Sequence, residues 1–447
     1  MKQHPFKIAS LGMQHMLAMY AGAIIVPLIV GGGLGLNQKE LTYLVSIDLL
    51  MCGVATILQA LSNRFFGIGL PVVLGCTFTA VGPMIAIGKQ YGVSSIYGAI
   101  IAAGLFVVIF AKLFGKLVKL FPPVVTGSVV TVIGVTLVPA AINDMAGGVG
   151  SKDFGSLENL ALAFGVLLFI IIMYRFFDGF IRSISILLGL LFGTIVAAFM
   201  GKVSLQAVGE ADWFHGIQPF YFGTPTFELT PIITMILVAC VGIVEATGVY
   251  FALSDICNKK IGEKELTKGY RAEGLAMVLG GIFNAFPYTT YSQNVGLVQL
   301  TGVRNRVIIY TCGGMLIVLG FIPKIAAITT IIPKSVLGGA MLAMFGMVMA
   351  YGIKMLSSVD FGKQENLLIV ACSVGIGLGV TVVPTLFSQL PENIRILTDN
   401  GIVLGSASAV LLNIVFNMVP QRKGKVKEEP VSMQNAVREA KKSKVSL

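Results

Sequence analysis

Long apolar runs follow one another along this chain, each close to the ~20 residues a helix needs to cross a bilayer. Short breaks rich in Gly, Pro and charge separate them. They mark 14 expected spans: 8–30, 41–61, 68–86, 94–113, 122–142, 157–174, 181–200, 229–252, 270–286, 288–302, 306–323, 334–352, 365–385 and 400–419. The first lacks a small-residue cleavage site, so it reads as a retained helix and not as a signal peptide. Two spans break the rhythm. GIGLPVVLGCTFTAVGP (67–83) has Gly and Pro at both ends and Cys-Thr-Phe-Thr in the middle, and NAFPYTTYSQNVGLVQL (284–300) sets a Pro and Tyr-Thr-Thr-Tyr before a run of amides. Lipid cannot satisfy free backbone groups, so irregular backbone must be paired or line a cavity. Extended pieces at about 75–79 and 288–292 are expected to pair at the midplane. Each then leads into a half-helix whose N-terminus offers free N–H donors and positive partial charge.

The two broken spans are the third and the tenth. The openings of the fifth and twelfth spans also match, FPPVVTGSVV (121–130) with IIPKSVLGGA (331–340). The offset is 215 residues from Phe78 to Gln293 and 211 from Pro123 to Lys334. An odd number of spans per repeat turns the halves antiparallel, the plan of inverted-repeat transporters. The expected fold is an all-α polytopic membrane protein, with a first repeat over 1–200, a second over 229–420 and a basic tail over 421–447.

Composition supports this reading. The chain is 55% hydrophobic and 12% charged, with mean hydropathy +0.87, whereas soluble domains carry about 25% charged residues. The net charge of +11 raises the question of nucleic acid, and its distribution answers it. With the N-terminus inside, only Lys39, Lys89, Lys152, Lys202, Lys324, Lys334 and Arg395 of the 32 Lys and Arg fall outside. That is a positive-inside bias. It places both termini in the cytoplasm and assigns the basic charge to membrane orientation, with no nucleic-acid partner. Six cysteines scattered through apolar segments, with no CxxC pair or histidine cluster, read as core residues and not as a disulfide or metal set.

Polar groups deep in spans are costly and usually functional. Glu245, in VGIVEATGVYF, lies mid-span beside Gly242, Ala246 and Gly248, which permit close approach. Asp48, in LVSIDLLMCG, reads either as functional or as a brace for helix packing. Glu273, near the opening of the ninth span, reads either as a solvated carboxylate of a first helical turn or as a proton-relay group. His15 adjoins Gln14 and reads as an orienting residue, since no partner ligands accompany it. One carboxylate with amides, backbone N–H groups and a phenylalanine suits a neutral, planar, hydrogen-bonding solute, and a single buried Glu suits proton coupling better than sodium. An anion channel or exchanger of the same architecture is the rival class, opposed by the charge of Glu245. An intramembrane enzyme is disfavoured: there are no paired catalytic carboxylates and no HExxH.

The run Gln293-Asn294-Val295-Gly296-Leu297-Val298-Gln299-Leu300-Thr301-Gly302 resembles the signature of the nucleobase–ascorbate (nucleobase–cation symporter-2) transporters. QHMLAMYAGAIIVPLIVGG (14–32), LPVVLGCTFTAVGPM (70–84) and FPPVVTGSVV resemble the same family, over about residues 8–419. The resemblance implies two inverted repeats of seven spans, a core domain (spans 1–4 and 8–11), a gate domain (5–7 and 12–14), a homodimer in the bacterial cytoplasmic membrane, and proton symport by core-against-gate movement with no cofactor beyond the proton gradient. It implies that Glu245 accepts ring N–H groups, that Gln293 and Asn294 bind and select substrate, and that Phe78, on the third-span strand, packs on the ring. Thr77 and Gly296 fall in the same motifs, and His15 matches a Gln-His pair that supports the site. Xanthine members of the family usually carry Asp where this chain has Glu273. An amide at 293 both donates and accepts, so it can pair with the adjacent carbonyl and N–H of an oxidised purine. Xanthine is expected ahead of uric acid.

Overall fold

The computed structural model describes residues 5–302 and 304–419, without the side chains of residues 293, 392 and 393. The basic tail expected over 421–447 lies outside the described residues. The elements run α1 (Pro5–Leu34), α2 (Gln38–Ala60), β1 (Leu74–Cys76), α3 (Val81–Tyr91), α4 (Val93–Lys116), α5 (Pro123–Met145), α6 (Leu157–Phe176), α7 (Gly179–Ser183), α8 (Ser185–Phe199), α9 (Gln206–Glu210), α10 (Leu229–Cys257), α11 (Glu263–Ile282), β2 (Tyr288–Thr290), α12 (Ser292–Thr301), α13 (Arg306–Gly320), α14 (Pro323–Thr330), α15 (Lys334–Leu356), α16 (Gln364–Val382), α17 (Glu392–Thr398) and α18 (Gly401–Asn413).

Local chemistry sets the ends of these helices. Asn37 caps α2 in a capping box with Glu40, and Ser156 and Asn400 cap α6 and α18. Pro123 and Pro323 open α5 and α14, where a missing N–H costs nothing. Gly302, at φ +64°, closes α12. At the exposed start of α6 the Asp153 carboxyl sits below its ordinary pKa, because Asn159 donates to it and Lys202 lies close by.

Among the described residues, nine helices are long and apolar enough to cross a membrane, or ten if α13 and α14, bent by 80°, form one span. The ninth expected span falls in α11, which is 20 residues long but carries Glu263, Lys264, Glu265, Lys268, Arg271 and Glu273, and three more of the expected 14 coincide with shorter pieces. The span expected over 181–200 is broken at Ile184 into α7 and a 15-residue α8. The third and tenth are a strand followed by an 11-residue and a 10-residue helix, α3 and α12.

The packing repeats itself. α2 packs on α13 as α4 packs on α11, α6 on α8 as α16 on α18, and α5 lies along α15. Glycines sit at the closest approaches. A Cβ at Gly104 would stand 2.7 Å from the Gly274 carbonyl oxygen, and one at Gly274 2.8 Å from that of Gly104. Gly53 and Gly313 face each other in the same way between α2 and α13, and Gly127 and Gly352 between α5 and α15. Without a hydrophobic driving force between helices in lipid, such small-residue contacts supply close van der Waals packing.

β1 and β2 pair antiparallel, Leu74 with Thr290, Gly75 with Thr289 and Cys76 with Tyr288. The ribbon is fully buried, so its edges need partners. The Thr56 hydroxyl accepts from the Leu74 N–H at 3.0 Å and donates to the Leu74 carbonyl at 3.2 Å. Thr77 N donates to Pro287 O, and Tyr291 N to Val73 O.

The segment after α8 is tied down at both ends. Lys202 binds Asn159 and Glu158 beside α6, at 3.0 and 3.1 Å. From Val208 onward the chain lies on other helices: Lys324 donates to Val208 O, Phe220 N to Ile282 O, and Thr226 N to Ser94 O.

Candidate functional site

The crossing of β1 and β2 brings two helix starts together. A 3-10 turn at Phe78–Ala80 leads into α3, and α12 starts at Ser292. Both helical starts come earlier than expected. Phe78 is therefore the first residue of a turn and not part of a strand, and residues 291–292 belong to the cap and first turn of α12. In the first break the strand is cut short by an N-cap close behind its Gly- and Pro-marked entry, whereas α12 starts after Tyr291 without a side-chain cap. Thr77 is that cap in the first repeat, its hydroxyl accepting from Thr79 N at 3.3 Å.

Around this crossing the protein gathers several of the expected residues. Asn294, in the first turn of α12, donates through Nδ2 to the His15 carbonyl oxygen at 3.1 Å, with His15 Nδ1 at 3.2 Å. The Phe78 ring lies 5.4 Å edge-on from Phe345 of α15 and 6.3 Å from Tyr291. Glu245, mid-helix in α10, is half-buried and has no hydrogen-bond partner among the described residues. Tyr291 and Tyr351 lie within electrostatic range of it. The side chain of Gln293 lies outside the described residues.

The site is polar and under-satisfied. Thr289 Oγ1, Thr290 Oγ1, Tyr291 OH and Asn294 Oδ1 are buried without a partner among the described residues. Each such group costs about 1–3 kcal/mol if left unmatched, so the crossing is a place where a hydrogen-bonding ligand gains from entering. On the Arg- and Lys-bearing side, a cavity of about 530 Å³ leads toward it, lined by Tyr174, Arg182, Ser292, Gly296, Tyr351 and Lys354 among others. Gly296 is thus a wall of the approach, where a Cβ would meet nothing within 4 Å.

Two expected carboxylates are held by other groups: Asp48 by the ribbon, Glu273 at the edge of the unmatched cluster, by Tyr250. Asp48 is buried beneath the ribbon, where Oδ1 accepts from Phe286 N at 3.4 Å and from Tyr288 OH at 3.1 Å. That is the bracing alternative, applied to a strand and not to a helix. Glu273 is buried in the third turn of α11, which begins at Glu263, and so is not a solvated first-turn acid. It accepts from Tyr250 OH at 2.5 Å and lines a void of about 10 Å³ with Thr77, Gly242 and Thr289. Sequence reasoning missed Phe345, Tyr291 and Tyr250. Only the position of Tyr291, beside the amides, gave any signal.

Residues 6–386 match the family model Xan_ur_permease, described as a permease family. The xanthine permease of Bacillus subtilis (strain 168) is 66% identical over 423 residues, 95% of this chain and 96% of its own length. The uric acid permease PucK of the same organism is 62% identical over 416 residues, 93% and 97%. The solved transmembrane domain of a cyanobacterium bicarbonate transporter, BicA, overlays with a TM-score of 0.60 at 18% identity, over 86% of this chain and 99% of that domain, a likeness of fold.

Proposed function

The chain belongs to the Xan_ur_permease family of nucleobase–ascorbate transporters, and on that premise we propose that it takes up xanthine, an oxidised purine, across the bacterial cytoplasmic membrane in symport with protons. Its relatives are permeases and not enzymes. The observation that carries the reading is the cluster of unmatched polar groups beside Glu245 at the strand crossing. A purine presents ring N–H donors and carbonyl acceptors in one plane, and Glu245 and Asn294 offer the complementary groups. Phe78 supplies an apolar face for the ring, and Gln293 is assigned the adjacent donor–acceptor edge.

In this reading the 14 spans form two inverted repeats of seven. Helices α1–α4 and α10–α13 make the core domain, α5–α8 and α15–α18 the gate domain, in a homodimer with both termini cytoplasmic. Substrate reaches the crossing from one side and leaves through the cavity between α12 and α15 when core moves against gate. Glu245 binds substrate, and Glu273 is the carboxyl linked to the proton. Uric acid is the second reading, supported by the PucK relative; it adds a carbonyl at a single edge, a small difference for a pocket to sense.

Vesicles with an imposed proton gradient test the proposal, using labelled xanthine against uric acid, guanine, hypoxanthine and uracil. Accumulation that a protonophore abolishes and that xanthine competes best is the expected result. Uptake indifferent to the protonophore overturns the coupling. Bicarbonate or sulfate uptake without purine uptake overturns the substrate class.

A further inference from the structure

Three polar side chains form a line running away from the crossing through α11, α10 and α2. Glu273 Oε1 accepts from the Tyr250 hydroxyl at 2.5 Å, and Gln59 Nε2 donates to the same hydroxyl oxygen. All three residues are buried. The far atom of the amide, Gln59 Oε1, is buried with no partner among the described residues. The Tyr250 ring is held in place: a Cβ on Gly269 would stand 3.1 Å from its Cε2. Tyr270 does not compete for it, since its hydroxyl is engaged with Thr247 at 2.6 Å.

An amide nitrogen only donates and a carboxylate only accepts, whereas a phenol does both. As drawn, the bonds run one way, from Gln59 N–H to the Tyr250 oxygen and from Tyr250 O–H to the Glu273 carboxylate. That arrangement suits a charged Glu273. A protonated Glu273 must itself donate, and its neighbour must then accept. Tyr250 can do so only if its own hydrogen turns toward another acceptor. A half-turn of the Gln59 amide presents one, because Oε1 and Nε2 exchange places in an amide with little change of shape. The atom left unpaired in the first arrangement is the one paired in the second.

We propose that Gln59 and Tyr250 are positioning residues that form a reversible hydrogen-bond wire, allowing Glu273 to gain and lose the transported proton without displacing its neighbours. This rests on the proton-coupled reading above. The chemical step is a single proton transfer. One O–H bond forms on Glu273 as one O–H bond of a hydronium ion entering from the outer side breaks and leaves water, and the bonds to Tyr250 and Gln59 reverse direction without any covalent change. On loss of the proton the wire reverts. The void of about 10 Å³ on the other flank of Glu273, large enough for about one water, faces Thr77, Gly242 and Thr289 and supplies the side from which the proton arrives. The groups facing Glu273 are Glu245 and Tyr250 on α10, Tyr270 on its own helix, Tyr288 and Thr289 on β2, Thr77, Gln59 on α2 through Tyr250, and the apolar Val107 on α4. No cation among them fixes its charge state, which suits a group that must hold both.

Proteoliposomes carrying the full chain, as wild type, Tyr250→Phe, Gln59→Leu and Glu273→Gln, test the wire with xanthine as the probe. Three quantities are read: accumulation driven by a proton gradient, xanthine-for-xanthine exchange at equal pH, and the pH dependence of the protonated-carboxyl infrared band assigned by its loss in Glu273→Gln. In the Phe and Leu variants, accumulation should fall at least about tenfold more than exchange, and the half-maximal pH of uptake should move by about one unit, the size of a lost hydrogen bond to a charged group. Each variant removes a different partner, so if one fails to fold the other decides. Folded variants that keep the wild-type pH profile and the wild-type ratio of accumulation to exchange overturn the wire and leave the transport reading intact. A wild type that exchanges xanthine but never accumulates it with protons overturns the coupling itself, and the wire with it.

Discussion

The amide of Asn294 grips His15 at two points, its Nδ2 standing 3.2 Å from the imidazole Nδ1 and 3.1 Å from the backbone oxygen of the same residue. Because Nδ2 is a donor, Nδ1 acts as an acceptor and the ring proton sits on Nε2. The first turn of α12 is thereby locked to the middle of α1, and Asn294 Oδ1 is left free beside the crossing.

Replacing Asn294 by Ala removes both bonds and should cost about 1–3 kcal/mol, read as a lower melting temperature in detergent, with weaker discrimination among purines in competition uptake. Asn294→Asp sets an acceptor against the His15 acceptor, a conflict relieved when the imidazole is protonated. Uptake by this variant should therefore be stronger at acid than at alkaline pH relative to wild type; a parallel pH profile counts against the bonding scheme.

Glu245→Gln keeps the shape of the side chain while replacing a charged acceptor. Hydrogen bonds to charged groups exceed neutral ones by roughly 1–2 kcal/mol, so xanthine affinity should drop about tenfold or more. Calorimetric titration of the purified protein measures this without transport. An unaltered affinity removes Glu245 from the ligand set.

Asp48 separates from the substrate groups by its partners, the Phe286 N–H and the Tyr288 hydroxyl. Asp48→Ala leaves two buried donors unmatched and should lower stability by about 2–5 kcal/mol, seen as poor yield or a large fall in melting temperature. Asp48→Asn retains one acceptor oxygen, so it should recover most of the stability while keeping the wild-type order of competing purines.

The glycine contacts allow a test of the repeat. Gly274→Ala, on the ninth expected span, and Gly53→Ala, on the second, occupy matching positions in the two crossings, each against backbone of the partner helix. Overpacking costs about 1–3 kcal/mol, and the two variants should lose similar amounts. A strong asymmetry in thermal stability would show that the two crossings are not equivalent.

Much of this was legible in the chain because lipid imposes strict rules. Span length and the Gly/Pro-marked breaks at 67–83 and 284–300 located the helices and the strand crossing. Helix starts were read a few residues late, since hydropathy cannot tell the polar first turns of α11, with Glu263 and Glu265, from a loop. That error moved Glu273 from the third turn of its helix to the first. The bend between α13 and α14 was also missed, because both arms are apolar and Pro323 at a helix start looks the same in sequence as Pro at a span end. Tyr250 was hidden for another reason. A tyrosine in an apolar run carries no local mark of its partner, and Gln59 lies 191 residues away.

The segment following α8 sets a mechanical limit. Lys202 is fastened beside α6, and Val208 is fastened by Lys324 beneath α14. Only Val203–Ala207 lies between the two anchors, and a fully drawn-out chain covers about 3.5 Å per residue. While both anchors hold, this leash cannot reach beyond about 20 Å, and less while Gln206 and Ala207 stay coiled in α9. It therefore limits how far α6 and α14 can separate on that face, and under the proposed core-against-gate movement lengthening it with Gly-Ser insertions is the direct way to loosen the stroke.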